Sequence, residues 1–150
     1  MPQSLAKNLI HLIFSTKNRD PLITEPVRPD LHQYAAGILH DLKSPALMIN
    51  SVADHIHVLF NLHRTKSLAN VVMELKRGTS IWMKEQGLEF AEFYWQNGYG
   101  AFSIGQSMVE TVVKYIENQA EHHAKRPFQY EFREFLKRYD MEFDEEYVWD

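Results

Sequence analysis

From Asn8 to Lys17 the chain alternates, with Ile10, Leu12 and Phe14 on one face and His11, Ile13 and Ser15 on the other. A period of two predicts a strand, and the second face is itself fairly apolar. Thr24, Pro26 and Pro29 then announce a helix, whose apolar positions Leu31, Tyr34, Ala35, Ile38 and Leu42 keep helical spacing. Pro45 to Val52 and His55 to Leu62 read as two strands joined by a tight turn at Ala53-Asp54, a hairpin. On the second of them Ile56, Val58, Phe60 and Leu62 share one face, and His55, His57, Leu59 and Asn61 the other. The apolar face should meet helices, which leaves the imidazoles on the opposite face of the sheet.

Ser67 can cap a helix that runs to about Gln86, with Leu68, Val72, Leu75, Thr79 and Trp82 on its inner stripe and Gly87 ending it. Phe93 to Ile104 is aromatic and β-rich but interrupted at Gly98 and Gly100, which predicts a bulged strand or bent hairpin. Gln106 to about Lys125 reads as a second long helix stopped before Pro127, and Phe128 to Tyr139 as a short helix of a third layer. The order strand, helix, hairpin, helix, strand, helix implies an α+β, ferredoxin-like sandwich, its mainly antiparallel sheet covered by helices.

Composition changes this picture little. A chain of 150 residues with 45% hydrophobic and 24% charged residues is expected to form a single globular domain. It has no apolar run long enough to span a membrane, and its first residues do not read as a signal peptide. The absence of Cys excludes disulfides, thiolate metal sites and Cys nucleophiles, and fits a reducing, cytoplasmic location. The net charge of −4 hides an asymmetry: the last twenty residues hold eight acidic and three basic side chains. The acidity thus belongs to the C-terminal end, with an acidic, aromatic tail from about residue 140, and the body is close to neutral. A basic total is not required for binding nucleic acid; a local basic patch suffices.

Two features carry chemistry. His55 and His57 are two residues apart on a strand, so both rings point to one side. In the string YIENQAEHH, Tyr115 has Gln119 one turn later; Thr111, Tyr115, Gln119 and His122 form a polar helix stripe beside the packing stripe Val109, Val112, Ile116 and Ala120. A phenol with a nearby amide, plus a His pair, suggests metal-assisted attack on a phosphodiester. Taken singly, a Tyr on an amphipathic helix is more often core, a His pair is more often incidental, and Lys76, Arg77, Ser80 and Lys84 are more often a solvated face.

The residues also carry a resemblance. His55-Ile56-His57 resembles the His-hydrophobe-His motif of the HUH nucleases, and Tyr115 to His123 resembles the Tyr-x-x-x-Gln helix of single-tyrosine transposases of the insertion sequence 200/605 type. HLIFSTKNR (His11 to Arg19) is similar to that family's first strand and WQNGYGAFSIG (Trp95 to Gly105) to its late aromatic strand, so the likeness runs in order from about residue 8 to residue 130.

The resemblance implies cleavage and rejoining of single-stranded DNA that folds into hairpins. Tyr115 would form a covalent 5′-phosphotyrosine link. His55, His57 and Gln119 would hold one divalent ion, Mg²⁺ or Mn²⁺, with Asp54 and His122 orienting groups around it. Lys17, Arg19, Lys76, Arg77 and Lys84 are the candidate DNA contacts, and a homodimer is the expected assembly. The competing reading is a non-catalytic single-stranded nucleic-acid-binding module of ferredoxin-like fold, gripping bases with Phe93, Tyr94, Trp95, Tyr99 and Phe102.

Overall fold

The computed structural model describes residues 2–150. Four strands, β1 (Leu9–Ser15), β2 (Ala46–Ser51), β3 (His55–Asn61) and β4 (Gly100–Ile104), form one sheet in the order β2-β3-β1-β4. All three pairings are antiparallel. Two crossover helices, α1 (Arg28–Asp41) and α2 (Leu68–Lys84), bury their apolar stripes against Leu12, Phe14, Ile56, Val58 and Phe60. This is the ferredoxin-like arrangement that the element order predicts. Ser67 caps α2, its Oγ accepting from Asn70 N at 3.1 Å.

The second face of the sheet is covered as well. Three further helices, α3 (Val109–Glu117), α4 (Gln119–Lys125) and α5 (Phe128–Arg138), come after β4. Val112 and Ile116 of α3 pack on Leu59, while Phe128, Phe132, Phe135 and Leu136 of α5 pack on Ile13 and Phe102. Every residue of β3 from His55 to Phe60 is therefore buried, on both faces. The imidazole face is an interior layer and not an open floor.

Two expectations are corrected. The helix predicted from Gln106 to Lys125 is broken at Asn118, whose backbone (φ −93°, ψ 21°) leaves helical geometry between α3 and α4. The break is accommodated by β2: Asn50 Nδ2 donates to the carbonyls of Ile116 and Glu117 at 2.9 and 3.2 Å, satisfying groups that a continuous helix would have used. Tyr115 and Gln119 thus belong to two different helices.

Second, only Gly100–Ile104 of the aromatic segment is strand. Residues 96–98 are a loop wrapped around Lys76, whose Nζ donates to the carbonyls of Gln96, Asn97 and Gly98 at 2.6, 3.2 and 2.7 Å. Gly100 is needed because a Cβ there would sit 2.5 Å from Cε2 of Phe132, so a side chain would push α5 off the sheet.

The acidic tail, which its sequence does not place, docks on α5 and the 96–98 loop. Trp149 packs on Phe128 and Phe132, Arg133 forks onto Glu145 at 2.7 and 2.9 Å, and the carbonyl of Asp150 accepts from Gly98 N at 2.7 Å.

Candidate active site

The strand register sets the first part of the site. Ile13 lies opposite His57 and His11 opposite Leu59, so His11 and His57 are diagonal neighbours on the α3–α5 face. His11 Nε2 and His57 Nδ1 are 2.8 Å apart, both rings fully enclosed. On the outer side of the pair, His55 Nδ1 donates to Asp54 Oδ1 at 2.7 Å. Each ring therefore has one nitrogen fixed by a neighbour, and both aim Nε2 at the same place.

That place holds Glu131, from the first half of α5. One of its oxygens is 2.6 Å from His57 Nε2 and 3.5 Å from His55 Nε2. The carboxylate is itself only 5% exposed, so the three groups form a water-poor cluster whose ligating atoms all lie within 4.8 Å of one another. Burial alone would raise the Glu131 pKa, but the two imidazoles of His55 and His57 beside it override this and hold the carboxyl ionised far below the usual range. Burial alone would likewise depress His55, yet the Asp54 hydrogen bond and the Glu131 carboxylate outweigh it and raise its pKa. His57 shifts down, because full burial and its imidazole neighbours dominate. His11 is held well below the ordinary imidazole value by burial and by His57.

With its Nδ1 proton committed to Asp54, a neutral His55 presents a lone pair to the Glu131 carboxylate. His55 Nε2 is buried and has no hydrogen-bond partner. Two facing lone pairs need a cation between them, either a proton on the ring or a metal ion. The donor set of two imidazole nitrogens and a carboxylate fits a divalent ion.

Tyr115 belongs to this cluster within one chain. Its ring is 5.8 Å from that of His57 and 6.4 Å from that of His11, edge-on to both, and stacks on His122 at 4.3 Å. Burial and the Glu131 charge push its phenol well above the ordinary value of about 10, only partly offset by Arg138 and Arg126. A cavity of about 240 Å³ opens onto the phenol between α3, α4 and α5.

Gln119, the first residue of α4, is fully buried, and neither its Oε1 nor its Nε2 has a hydrogen-bond partner. It shares a helix face with His123, four residues on, whose ring lies 5.4 Å from that of His55. Asp54 and His122 stand beside the imidazoles and the phenol respectively, where the resemblance puts orienting groups.

The candidate DNA contacts divide. Lys17 and Lys84 lie over the exposed Tyr94 ring at 5.9 and 4.1 Å, and Arg19 lies over Trp149 at 5.9 Å. Arg77 lines an exposed groove with Tyr94 and Tyr99. Lys76 is turned inward, its ammonium committed to the 96–98 carbonyls. The aromatic cluster of the competing reading is mostly interior: Phe93, Trp95 and Phe102 are core, leaving Tyr94 and Tyr99 at the surface.

Sequence reasoning missed Glu131 and His11. Glu131 looks like one member of an acidic terminal stretch, although its place three residues after Phe128 and four before Phe135 puts it on the apolar stripe of α5. His11 carried a signal, a polar residue at an inward position of a strand that is apolar on both faces.

The ferredoxin-like sheet thus carries its His-x-His strand beneath a helical tyrosine. The family model described as "Transposase IS200 like" matches residues 4–119, and the chain belongs to that family. No curated protein matches it significantly. Among solved structures, a crystal structure of a candidate transposase from Deinococcus radiodurans R1 superposes with a TM-score of 0.62 at 20% identity, covering 79% of this chain and 98% of that one. A REP-associated tyrosine transposase bound to a REP hairpin superposes with a TM-score of 0.60 at 14% identity, covering 82% of this chain and 73% of that one. At these identities the likeness is one of fold.

Proposed function

We propose that this protein is a metal-dependent DNA strand transferase that cuts and rejoins single-stranded DNA at hairpin-forming ends through Tyr115. The observation that carries the reading is the convergence, in one chain, of a half-buried phenol and two imidazoles, one of them with a buried, unpartnered Nε2. The hairpin substrate is supported by the family and by the REP hairpin to which the REP-associated transposase is bound.

In this reading Tyr115 Oη attacks the scissile phosphorus. The phosphorus–O3′ bond breaks, the 3′ oxygen leaves and takes up a proton, and the 5′ phosphate stays on the tyrosine. The reverse attack by a new 3′ hydroxyl reseals the strand with no external energy source. His55, His57 and Glu131 would hold a divalent ion, Mg²⁺ or Mn²⁺, with the unpartnered Gln119 amide as a candidate further donor. When bound, that ion supplies Lewis-acid polarisation of the phosphate. Asp54 and His11 fix the two imidazoles, and stacking on His122 holds the Tyr115 ring. Because the phenol pKa is raised, Tyr115 is protonated at rest, and its proton must leave as the attack proceeds.

Lys17, Arg19, Arg77 and Lys84, with Tyr94 and Tyr99, are the surface proposed for the folded part of the DNA. That Tyr115 meets the imidazoles within one chain supports a homodimer carrying two whole sites.

The test is incubation with a single-stranded hairpin oligonucleotide and Mn²⁺, then denaturing gel electrophoresis. The wild type should give a covalent adduct that EDTA, Tyr115→Phe and His57→Ala each abolish. An adduct undiminished in Tyr115→Phe, or none in the wild type with hairpin binding intact, refutes the catalytic reading and leaves a binding module.

A further inference from the structure

The family match ends at Gln119, yet the cavity in front of Tyr115 is walled largely by residues 122–138. Arg126 lies just before Pro127, which opens α5, and Arg138 is the last residue of α5. Both line the cavity together with Tyr115, His122, Glu131 and Glu134.

The other cations nearby are engaged. Lys125 pairs with Glu121 at 3.4 Å, Lys137 with Glu134 at 3.9 Å and Arg133 with Glu145 at 2.7 Å. Arg126 and Arg138 have no ion-pair partner among the described residues. Each instead rests against a ring, Arg126 over Tyr130 at 5.2 Å and Arg138 over Phe135 at 5.5 Å. Ring contacts of this kind restrain a long side chain and leave its N–H donors free.

The two acidic groups of the cavity do not cancel these charges. Glu131 turns inward to the imidazoles, and Glu134 faces Lys137. The wall therefore presents two unneutralised guanidinium groups whose backbones stand at the two ends of α5, roughly 16 Å of helix axis at about 1.5 Å per residue. Their side chains line the same cavity as the phenol.

Building on the strand-transfer reading, we propose that α5 is a track for the backbone of single-stranded DNA, on which Arg126 and Arg138 grip phosphates on opposite sides of the bond presented to Tyr115. The ligand is the phosphodiester chain itself, not a base, so the track fixes the position and direction of the strand without reading its sequence. It also explains why two arginines at the ends of a helix lack partners beside a carboxylate-rich tail.

The experiment measures binding of a hairpin with a single-stranded flank to Tyr115→Phe protein, so that no cleavage intervenes. Arg126→Gln and Arg138→Gln should each weaken binding roughly tenfold at low salt, as expected for one charge-assisted contact. Each should reduce the slope of log affinity against log salt by about 0.7, the increment for one phosphate of a single strand. Arg→Lys should recover most of the salt slope.

A scan that replaces one flank phosphate at a time by a neutral methylphosphonate locates the contacts. Each arginine variant should become insensitive to one phosphate, and the two positions should lie on opposite sides of the cleavage point. A uniform loss with no position-specific coupling, an unchanged affinity, or two positions on the same side would overturn the track. Both arginines are exposed, and an unchanged melting temperature confirms folding. Adduct formation by the wild type is scored separately. Position-specific coupling without an adduct sustains the track while the strand-transfer reading falls, and an adduct without coupling does the opposite.

Discussion

Glu131→Gln separates the metal reading from a purely structural one. The carboxylate is buried, 2.6 Å from His57 Nε2 and 3.5 Å from His55 Nε2. The amide keeps the shape and one acceptor oxygen for His57 but removes the charge. In the metal-free protein the loss is that of a charge-assisted bond reduced to a neutral one, about 1–2 kcal/mol, or roughly 3–6 °C in Tm for a chain of this size. The effect depends on pH. The folded pKa of His55 is raised above the unfolded value of about 6.5, so its stabilisation is complete below that pH and is lost as pH rises through the folded pKa. Glu131→Gln should flatten that decline. Toward Mn²⁺ the variant loses the only formal negative charge among the three ligands, and affinity should fall by about ten- to a hundredfold. Isothermal titration with Mn²⁺ and thermal melts with and without it read both quantities. In the wild type the ion should raise Tm in proportion to its binding free energy, and the variant should lose most of that rise. Wild-type Mn²⁺ affinity in Glu131→Gln would refute the carboxylate as a ligand. Tighter binding would show that Glu131 competes with the ion for the two imidazoles.

Three other perturbations probe the frame around the cluster. His11→Phe removes the group that holds His57 Nδ1 at 2.8 Å, and should weaken Mn²⁺ about tenfold or more while the far-ultraviolet circular dichroism is unchanged. Gly100→Ala places a methyl 2.5 Å from the Phe132 ring and should cost about 1–3 kcal/mol by calorimetry, with α5 amides losing hydrogen-exchange protection before those of α1. His32, bonded to Ser51 Oγ at 2.7 Å, is lowered to about 4 by burial and by Arg28. Below about pH 6.5 the unfolded chain gains a proton that the folded chain refuses, so stability falls between about pH 6.5 and 4. After discounting for its partial exposure the loss is about 1–2 kcal/mol, and acid melts of His32→Gln should lack it.

The fold was largely legible because its signals are local. Period-two alternation marks β1 and β3, Ser67 marks the start of α2, and the order of elements leaves few topologies. The errors fall where a long-range contact overrides a local pattern. The break at Asn118 depends on Asn50 of β2 reaching the last carbonyls of α3, a partnership 66 residues away in sequence. The aromatic segment reads as strand, yet a lysine of α2 gathers its carbonyls into a loop. The imidazole pair and the tyrosine were legible because strand and helix spacing place them. Glu131 was not, because its burial depends on α5 folding back over the sheet, which the glycine at position 100 permits.

That dependence connects the fold to the chemistry. His55 and His57 are set by the sheet, Tyr115 by α3 and Glu131 by α5, so the cluster exists only while α5 stays docked. Removing a buried carboxylate from an imidazole cluster leaves an uncompensated charge, which costs more than losing a surface pair. The cluster should therefore add to the hold of the Phe128, Phe132 and Phe135 contacts on α5, and a bound ion should add further. It follows that metal and α5 docking are linked in both directions. Mn²⁺ should protect the α5 amides from exchange in the wild type, and Gly100→Ala should weaken Mn²⁺ without touching a ligand. Protection confined to β3 and α3, with α5 exchanging at the same rate whether or not the ion is present, would show that Glu131 rests against the imidazoles without binding the ion.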